Sequence, residues 1–236
     1  MKELTKELKE RLDRQITLIG EEKTLKLINS SVCIIGIGGV GGYVAEMLAR
    51  AGVGRICLVD FDTVSESNIN RQIIALTDTV GRKKTAVMSE RIKAINPLCD
   101  VYLIDTFVTH ENSDSIIDES GCDVIIDAID NVSAKVALVR SAQRRGKYIF
   151  SSMGTGNKLD IRSYKITDIK KTHTCGLAKA VRKQLRDVGI DSLDVLFSDE
   201  APARIGQRTP ASICYMPSAA GLIIAEHIIK KITQQL

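Results

Sequence analysis

Short apolar runs alternate with longer amphipathic stretches along the first two thirds of the chain. The runs are typical of buried strands, and the stretches between them carry apolar residues at the spacing of helices. The predicted strands are 31–36, 55–60, 100–104, 123–127 and 147–151. The predicted helices are 2–14, 20–29, 39–51, 81–96, 111–119 and 132–145. Strands that alternate with helices predict a parallel sheet with helices on both faces.

The pattern changes after Gly156. Residues 159–166 alternate between apolar and polar side chains, which predicts a strand with one exposed face. The remaining predicted elements are a basic helix at 175–188, a strand at 193–197, a loop with two prolines at 198–210 and an apolar helix at 217–232. The expected fold class is α/β: a Rossmann-like, doubly wound, mostly parallel sheet with a small basic α+β C-terminal extension. We divide the chain into an N-terminal helical arm (1–30), a Rossmann-like domain (31–156) and the extension (157–236).

Composition narrows the class of protein. The chain has 236 residues, of which 44% are hydrophobic and 26% charged, as expected for a globular domain. Its six cysteines form no C-x-x-C pair, so we expect neither a zinc site of the usual spacing nor a disulfide framework, and a reducing cytoplasm fits best. No apolar stretch is long enough to predict a membrane span. The net charge of +4 permits a polyanionic partner without requiring one.

A glycine-rich turn follows the first predicted strand. Gly36, Gly38 and Gly41 form a G-x-G-x-x-G motif, and Gly39 lies within it. Such a turn lets backbone N–H groups and a helix N-terminus meet a phosphate, although the same glycines can also serve packing alone. Asp60 ends the next strand, 24 residues after Gly36, where a carboxylate can accept hydrogen bonds from ribose hydroxyls. The pattern therefore predicts nucleotide binding.

Polar residues further along the chain favour a triphosphate over a nicotinamide cofactor. Asn70, Arg71 and Lys84 supply an amide, a guanidinium fork and a point charge, the donors that a triphosphate needs. Asp130 follows another strand and can hold Mg²⁺ against those phosphates. A nicotinamide cofactor needs neither the cations nor the metal.

Together these motifs resemble the ubiquitin-activating-like adenylyltransferases, from about Arg11 to Gly156, with motif order and spacing preserved. The resemblance implies ATP and Mg²⁺ as cofactors and catalytic roles for Arg14, Asn70, Arg71, Lys84 and Asp130. It implies an ATP site made of Gly36, Gly38, Gly39, Gly41, Asp60, Asp62, Asn70, Arg71, Gln72, Lys84, Asp130 and Asn131. In the family, the arginine that matches Arg14 reaches the ATP of the other subunit, which implies a C2 homodimer. Arg14 is the second arginine of an R-x-x-R-Q motif at residues 11–15, and without this motif it would be interpreted as a solvated helix-end charge.

The C-terminal third points to one branch of that family. The sulfur-carrier branch usually has two zinc-binding C-x-x-C pairs and a catalytic cysteine, and this sequence has neither pair. Residues 153–160, 167–172, 175–179 and 217–221 instead resemble the tRNA threonylcarbamoyladenosine dehydratases. These enzymes activate the threonyl carboxylate of a modified adenosine beside the anticodon, and the activated carboxyl then cyclises with formal loss of water. The resemblance also allows a partner of the cysteine desulfurase type.

A basic segment agrees with a tRNA substrate. Residues 158–187 contain nine Lys or Arg against three Asp, which suits a phosphate backbone but is also common on a solvated helix face. The predicted tRNA contacts are Lys170, Lys171, Lys179, Arg182, Lys183 and Arg186. Cys175 lies near these cations, which would lower a thiol pKa, but intramolecular cyclisation needs no thioester, and we expect a structural role. His173 is compatible with a general base, an RNA contact or neither.

Two other functions stay open at this point. The first is an adenylyltransferase that activates the C-terminal glycine of a small ubiquitin-like sulfur carrier, which a tRNA-dependence assay would separate from the dehydratase. The second is an NAD-dependent dehydrogenase or a nucleotide-sensing scaffold without turnover. Release of pyrophosphate from ATP would exclude both forms of the second function.

Overall fold

The computed structural model describes residues 3–203, 206 and 210–234. Its strands are β1 (Ser31–Ile35), β2 (Arg55–Val59), β3 (Asp100–Ile104), β4 (Val124–Asp127), β5 (Tyr148–Ser152), β6 (Tyr164–Asp168) and β7 (Asp194–Ser198). They form one sheet in the order β3-β2-β1-β4-β5-β7-β6. Only β6, at one edge, runs antiparallel to its neighbour in this described sheet.

Helices cover both faces of the sheet. They are α1 (Lys6–Ile19), α2 (Glu21–Ile28), α3 (Gly41–Arg50), α4 (Lys84–Ile95), α5 (Ser113–Ser120), α6 (Val132–Arg144), α7 (Gly176–Asp187) and α8 (Tyr215–Ile232). Helices α3, α4 and α8 contribute to the apolar core on one face, and α5, α6 and α7 contribute to the core on the other. Along β1, Val32 and Ile34 enter the first core and Cys33 and Ile35 the second, because successive side chains point to opposite faces. The predicted doubly wound α/β fold is confirmed.

The predicted start of α4 at Gly81 is wrong. The helix begins at Lys84. Gly81 has a φ of +86°, its N–H donates to Val64 O, and Thr63 pairs with Lys83 in an isolated antiparallel bridge. The polar segment after β2 therefore holds residues 81–83 in a turn and a bridge, and the helix begins only after them.

The predicted strand at 159–166 is also wrong in its position. Residues Ile161–Ser163 form a 3₁₀ turn, and β6 occupies Tyr164–Asp168. The Asp160 side chain accepts a hydrogen bond from Arg162 N at 2.9 Å, which stabilises the turn locally. Apolar alternation alone cannot distinguish such a capped turn from the first residues of a strand.

The predicted N-terminal helix 2–14 is displaced along the chain. In the structure α1 begins at Lys6, after Thr5 caps it by accepting a hydrogen bond from Leu8 N, and it continues to Ile19. Residue 2 of the predicted helix lies outside the described part. Leu8 and Leu12 are buried against Ile28, as the spacing of four predicted.

The C-terminal elements extend the same sheet. Strand β7 pairs with β5, and α8 packs against α3. These two helices pack so closely that a Cβ at Gly221 would lie 2.7 Å from Val40 O. Among the described helices, none is both long enough and apolar enough to cross a membrane.

Candidate nucleotide-binding site

The glycine turn after β1 requires glycine for close packing. Gly36 has a φ of +92°, and a Cβ there would lie 3.0 Å from the backbone of Ala128. A Cβ at Gly41 would lie 1.8 Å from Gly36 O, and one at Gly39 would lie 3.0 Å from Pro217. The turn therefore fits between the loop after β4 and the start of α8, where no larger residue has room.

Asp60 joins the turn to the end of β2. Its Oδ2 accepts a hydrogen bond from Ile37 N at 2.6 Å, and its Oδ1 accepts one from Asp62 N at 2.9 Å. Each carboxylate oxygen can accept a further hydrogen bond, so a ribose hydroxyl can bind to the same group. Asp60 thus organises the nucleotide site as well as lining it.

A cleft of about 650 Å³ opens at the carboxyl ends of the parallel strands, beside the point where the strand order reverses between β1 and β4. Most of the predicted ATP-site residues line it. They are Gly36, Gly38, Gly39, Asp60, Asp62, Arg71, Gln72, Lys84, Asp130 and Asn131. A volume of this size suits a small-molecule ligand such as a nucleotide.

Two predicted residues, Gly41 and Asn70, are not among those that line the cleft. Position 41 must be glycine because a Cβ there would clash with Gly36 O. Asn70 Oδ1 accepts a hydrogen bond from Arg71 Nη1 at 2.8 Å, and Asn70 Nδ2 donates to Ser212 O at 3.3 Å. Asn70 therefore orients Arg71 and ties it to the segment before α8.

Three side-chain bonds connect the start of α4 to the segments after β2 and β3. Lys84 Nζ lies 2.8 Å from Asp62 Oδ2, and Lys83 Nζ donates to Phe61 O at 2.9 Å. Thr85 Oγ1 donates to Asp105 Oδ1 at 2.5 Å. These bonds hold one wall of the cleft together.

Three cleft side chains have polar atoms free for a ligand. Among the described residues, Asp130 accepts no hydrogen bond and forms no ion pair, and its side chain is exposed. The Oε1 atom of Gln72 is buried without a partner in this same set. Arg71 uses Nη1 alone to contact Ser67 O and Asn70 Oδ1, so the rest of its guanidinium faces no described protein acceptor.

The cleft suits a magnesium ion bound together with phosphates. Mg²⁺ is usually held by one or two carboxylates plus phosphate oxygens and water, rather than by a cage of protein ligands. Asp130 and Asp62 both line the cleft, and the described residues contain no cluster of three or more His, Cys, Asp or Glu that would hold a metal alone. Asp130, with its free carboxylate, is the residue that fits this role.

Arg14 does not reach the cleft of its own chain. It is exposed on α1, two residues after the buried Leu12, and it is absent from the residues that line the cleft. Its neighbour Gln15 donates to Ala51 O at 3.1 Å, which fixes this part of α1 against α3. Its contact with the ATP of a second chain therefore stays a prediction.

The basic residues of α7 line a separate groove of about 350 Å³. Lys179, Arg182, Lys183 and Arg186 lie along it, as their spacing of three and four predicted. Arg182 is partly committed to the protein, because Nη1 donates to Thr172 O at 2.9 Å and Thr172 Oγ1 at 2.5 Å. Within the described chain, Lys170, Lys171, Lys179, Lys183 and Arg186 are exposed and form no ion pair.

Three of the nine cations counted in this segment are committed to contacts within the protein. Lys158 is buried and donates to Glu200 O, and burial lowers its pKa. Arg162 pairs with Asp160 at 2.9 Å, and Lys165 pairs with Asp199. The free positive charge is therefore concentrated on α7 and on the turn before it.

Cys175 has a structural contact, as expected. It is buried at the N-terminus of α7, where Sγ accepts a hydrogen bond from Ala178 N at 3.5 Å, and Sγ would lie 3.4 Å from a Cβ at Gly154. His173 is exposed and packs edge-on against Phe197. Neither residue lines the cleft.

Some cleft residues were missed by the sequence interpretation. Thr106, Phe107 and Val108 follow β3, and their position after a strand was a signal that could have identified them. Phe61 and Phe107 form an edge-to-face pair with ring centroids 4.8 Å apart at the cleft. Leu177, Pro210, Ser212 and Pro217 also line it, but they come from distant parts of the chain, and no local pattern indicated that they would reach the nucleotide site.

Comparisons with known proteins agree with this geometry. The chain is 41% identical over 236 residues to the tRNA threonylcarbamoyladenosine dehydratase of Bacillus subtilis, covering 92% of each protein. The E. coli tRNA N6-threonylcarbamoyladenosine dehydratase in complex with AMP superposes with a TM-score of 0.94 at 34% identity, covering 100% of this chain and 98% of that one. Its complex with ATP gives a TM-score of 0.93 at the same identity, covering 99% and 98%.

Similarity to a sulfur-carrier enzyme is more limited. The sulfur carrier protein adenylyltransferase of Thermus thermophilus is 37% identical over 145 residues, which cover 61% of this chain and 53% of that protein. The model of the ThiF family, in contrast, matches residues 12–235. The resemblance predicted from the motifs is confirmed, and this chain belongs to the ThiF family.

Proposed function

We propose that this chain is an ATP-dependent tRNA threonylcarbamoyladenosine dehydratase. It activates the threonylcarbamoyl carboxylate of N6-threonylcarbamoyladenosine by adenylation and then closes it to the cyclic form. The observation that carries the proposal is the similarity to such dehydratases over nearly the whole chain, including the extension that contains α7.

The cleft supports the adenylation half. Asp60 is available for the ribose, and the glycine turn presents backbone N–H groups at the start of α3. Arg71 and Lys84 bring positive charge to the phosphate region, and Asp130 is free to hold Mg²⁺, which would neutralise phosphate charge when bound. The related E. coli enzyme was solved with ATP in complex.

The proposed reaction has two steps. A carboxylate oxygen of the substrate attacks the α-phosphorus of ATP, the bond from that phosphorus to the bridging oxygen breaks, and pyrophosphate leaves. A nitrogen of the same modification then attacks the carbonyl carbon of the acyl-adenylate, its proton is lost, and AMP leaves. The protein contributes positioning and charge neutralisation, and no covalent enzyme intermediate is needed.

The groove on α7 supports tRNA as the substrate. Its free cations suit a phosphate backbone, and Leu177 in the first turn of the same helix lines the cleft. A tRNA whose backbone contacts α7 would therefore have its modified adenosine near the nucleotide site. Lys170 and Lys171, just before α7, extend the same charged surface.

A homodimer in the cytoplasm is part of the proposal. The exposed position of Arg14 supports a site shared between two chains, and a tRNA substrate supports a cytoplasmic enzyme. A partner of the cysteine desulfurase type stays a prediction of the family resemblance.

The carrier-protein alternative is weaker because its relative matches only 61% of this chain. Moreover, no C-x-x-C pair exists in the sequence. The dehydrogenase alternative is weaker because a nicotinamide cofactor needs neither the cations Arg71 and Lys84 nor a metal at Asp130, and all three residues line one cleft.

Nucleoside mass spectrometry tests the proposal. tRNA that carries the linear modification is incubated with enzyme, ATP and Mg²⁺, and its nucleosides are analysed after digestion. We expect loss of one water from the modified nucleoside and release of AMP and pyrophosphate, both dependent on tRNA. Pyrophosphate release that depends on a peptide ending in Gly-Gly, with no change in tRNA, would instead establish the carrier-protein function.

A further inference from the structure

A fully buried ion pair lies directly beneath the cleft. Lys135 Nζ is 3.0 Å from Asp127 Oδ2, and both side chains have no solvent exposure. The Asp127 carboxylate also accepts hydrogen bonds from Ser151 Oγ at 2.7 Å and from Ile129 N at 3.3 Å. Lys135 Nζ donates to Ser152 O at 2.8 Å. The pair is therefore embedded in a network of specific hydrogen bonds.

The network joins the three elements that form this side of the cleft. Asp127 is the last residue of β4, Ser151 and Ser152 end β5, and Lys135 lies in the first turns of α6. Each member has a neighbour in the chain that lines the cleft: Ala128 follows Asp127, Ala134 precedes Lys135, and Met153 follows Ser152. The pair supports the cleft without facing it.

A fully buried ion pair carries a large desolvation penalty at this position. Removing two charges from water often costs more than their attraction returns, and apolar residues of similar volume would pack as well. The geometry that the charges impose is their distinctive contribution. The bond from Ile129 N to Asp127 fixes the turn that carries Asp130, and the bond from Lys135 to Ser152 O holds α6, which follows that turn, against the end of β5.

We propose that Lys135 is a positioning residue that acts through Asp127 to hold the turn of residues 128–131, and thereby Asp130, in the orientation that binds Mg²⁺ with ATP. The inference rests on the proposed function, because it assigns the metal to Asp130. Residues that orient a metal ligand from behind typically change affinity or activity by about 10- to 100-fold when they are altered. The network of Asp127 and Lys135 lies behind the turn that carries Asp130 and orients it in the same way.

The test uses a double variant, Asp127→Leu with Lys135→Met, so that no unpaired charge stays buried. The Kd for ATP is measured by calorimetry with Mg²⁺ and with EDTA, and folding is checked by the melting temperature. We expect the Kd with Mg²⁺ to rise at least about tenfold, while the weaker binding in EDTA stays unchanged. A folded double variant with the wild-type Kd in Mg²⁺ would overturn the proposal.

A matched control distinguishes positioning from general loss of core stability. Glu46 on α3 is also buried, pairs with Arg91 at 2.6 Å and with Arg50 at 2.7 Å, and is absent from the cleft lining. The variant Glu46→Leu with Arg91→Met should alter the melting temperature but leave the Mg²⁺-dependent Kd unchanged. If it raises that Kd as much as the first pair does, the effect is one of stability, and the proposal fails.

A milder variant covers the case in which the double variant does not fold. Ser151→Ala removes one donor to Asp127 and leaves both charges paired. We expect the Kd for ATP with Mg²⁺ to rise by about threefold, with no change in EDTA, and an unchanged Kd would overturn the proposal. Failure of the proposed function has a different signature, because the wild-type protein itself would then show no ATP binding that responds to Mg²⁺.

Discussion

Lys84 Nζ lies 2.8 Å from Asp62 Oδ2, and the two side chains differ sharply in exposure. The lysine side chain is 6% exposed, whereas the aspartate side chain is 44% exposed and lines the cleft. The pair holds a buried cation at the edge of the nucleotide site before any ligand arrives. A triphosphate can then accept from Lys84 without first having to order a flexible side chain.

Replacing Lys84 should weaken ATP binding. For Lys84→Met we expect a loss of about 2 kcal/mol, or roughly 30-fold in Kd, because a charge-assisted hydrogen bond to phosphate is removed. Calorimetry measures the change. Lys147→Met is the matched control, since Lys147 makes an equally short 2.8 Å pair with Asp123 away from the cleft. Equal affinities for the two variants would contradict the assignment of Lys84.

Replacing Asp130 should abolish turnover while the fold is retained. Asp130→Ala removes the free carboxylate assigned to Mg²⁺, and we expect pyrophosphate release to fall by about two orders of magnitude or more. The melting temperature should change little, because the side chain is exposed and unpaired in the described chain. Asp78→Ala, at an exposed turn outside the cleft, is the control. Near-native turnover of Asp130→Ala would refute this role.

Arg14 should act on the nucleotide site of the partner subunit. Arg14→Ala and Asp130→Ala homodimers are each expected to be inactive, and mixing them should restore activity. A heterodimer contains one site to which one chain contributes Arg14 and the other contributes Asp130. Pyrophosphate release before and after subunit exchange is the measurement. An absence of rescue, once exchange is verified by tagged subunits, would show that the sites are not shared.

Charge reversal on α7 should weaken tRNA binding. We choose Lys179→Glu with Lys183→Glu, because both side chains are exposed and unpaired in the described structure, whereas Arg182 is bonded to Thr172. Each lost phosphate contact should reduce the magnitude of the slope of log K against the logarithm of the salt concentration by about 0.9. Binding is measured across a range of salt concentrations, with ATP affinity as the control. An unchanged slope would identify the helix as a solvated surface.

Arg182 should behave differently from its neighbours. Its contacts with the carbonyl groups of Thr172 and Ile169 connect α7 to the preceding turn. For Arg182→Met we therefore expect a lower melting temperature together with weaker tRNA binding. Thermal unfolding of Arg182→Met beside Lys183→Met tests this, and equal melting temperatures would contradict the structural role.

His227 should make stability sensitive to mild acid. Burial lowers its pKa from the ordinary 6.5, while Asp194 opposes this shift and Lys231 adds to it; its ring lies 3.0 Å from Tyr148 Oη. The unfolded chain therefore takes up the proton first as the pH falls through 6.5, and stability is lost at acid pH. The melting temperature of wild type relative to His227→Gln should decrease between about pH 7.5 and pH 5. A difference in melting temperature between wild type and His227→Gln that does not change with pH would contradict the role of His227.

The sequence by itself determined the class of fold and the chemistry of the nucleotide site. Apolar runs such as Val32–Ile35 and the glycine turn after them are local patterns, and residues that directly follow parallel strands meet at one edge of the sheet. For this reason Asp60 and Asp130 could be placed in one cleft from the sequence, whereas Lys84 was assigned to it through the resemblance to the adenylyltransferases.

Only the tertiary structure decided which of those residues are free to act. Gly41 and Asn70 belong to the motifs, yet packing against Gly36 and a bond to Ser212 give them supporting positions. Arg182 and Lys183 are adjacent and similarly charged, but only Arg182 meets the carbonyl group of Thr172. Leu177 and Pro217 reach the cleft from distant segments, and the pairing of Asp127 with Lys135 depends on how α6 packs beneath it. Local sequence patterns specify residue chemistry and element order, whereas the partners of each side chain depend on contacts between segments far apart in the chain.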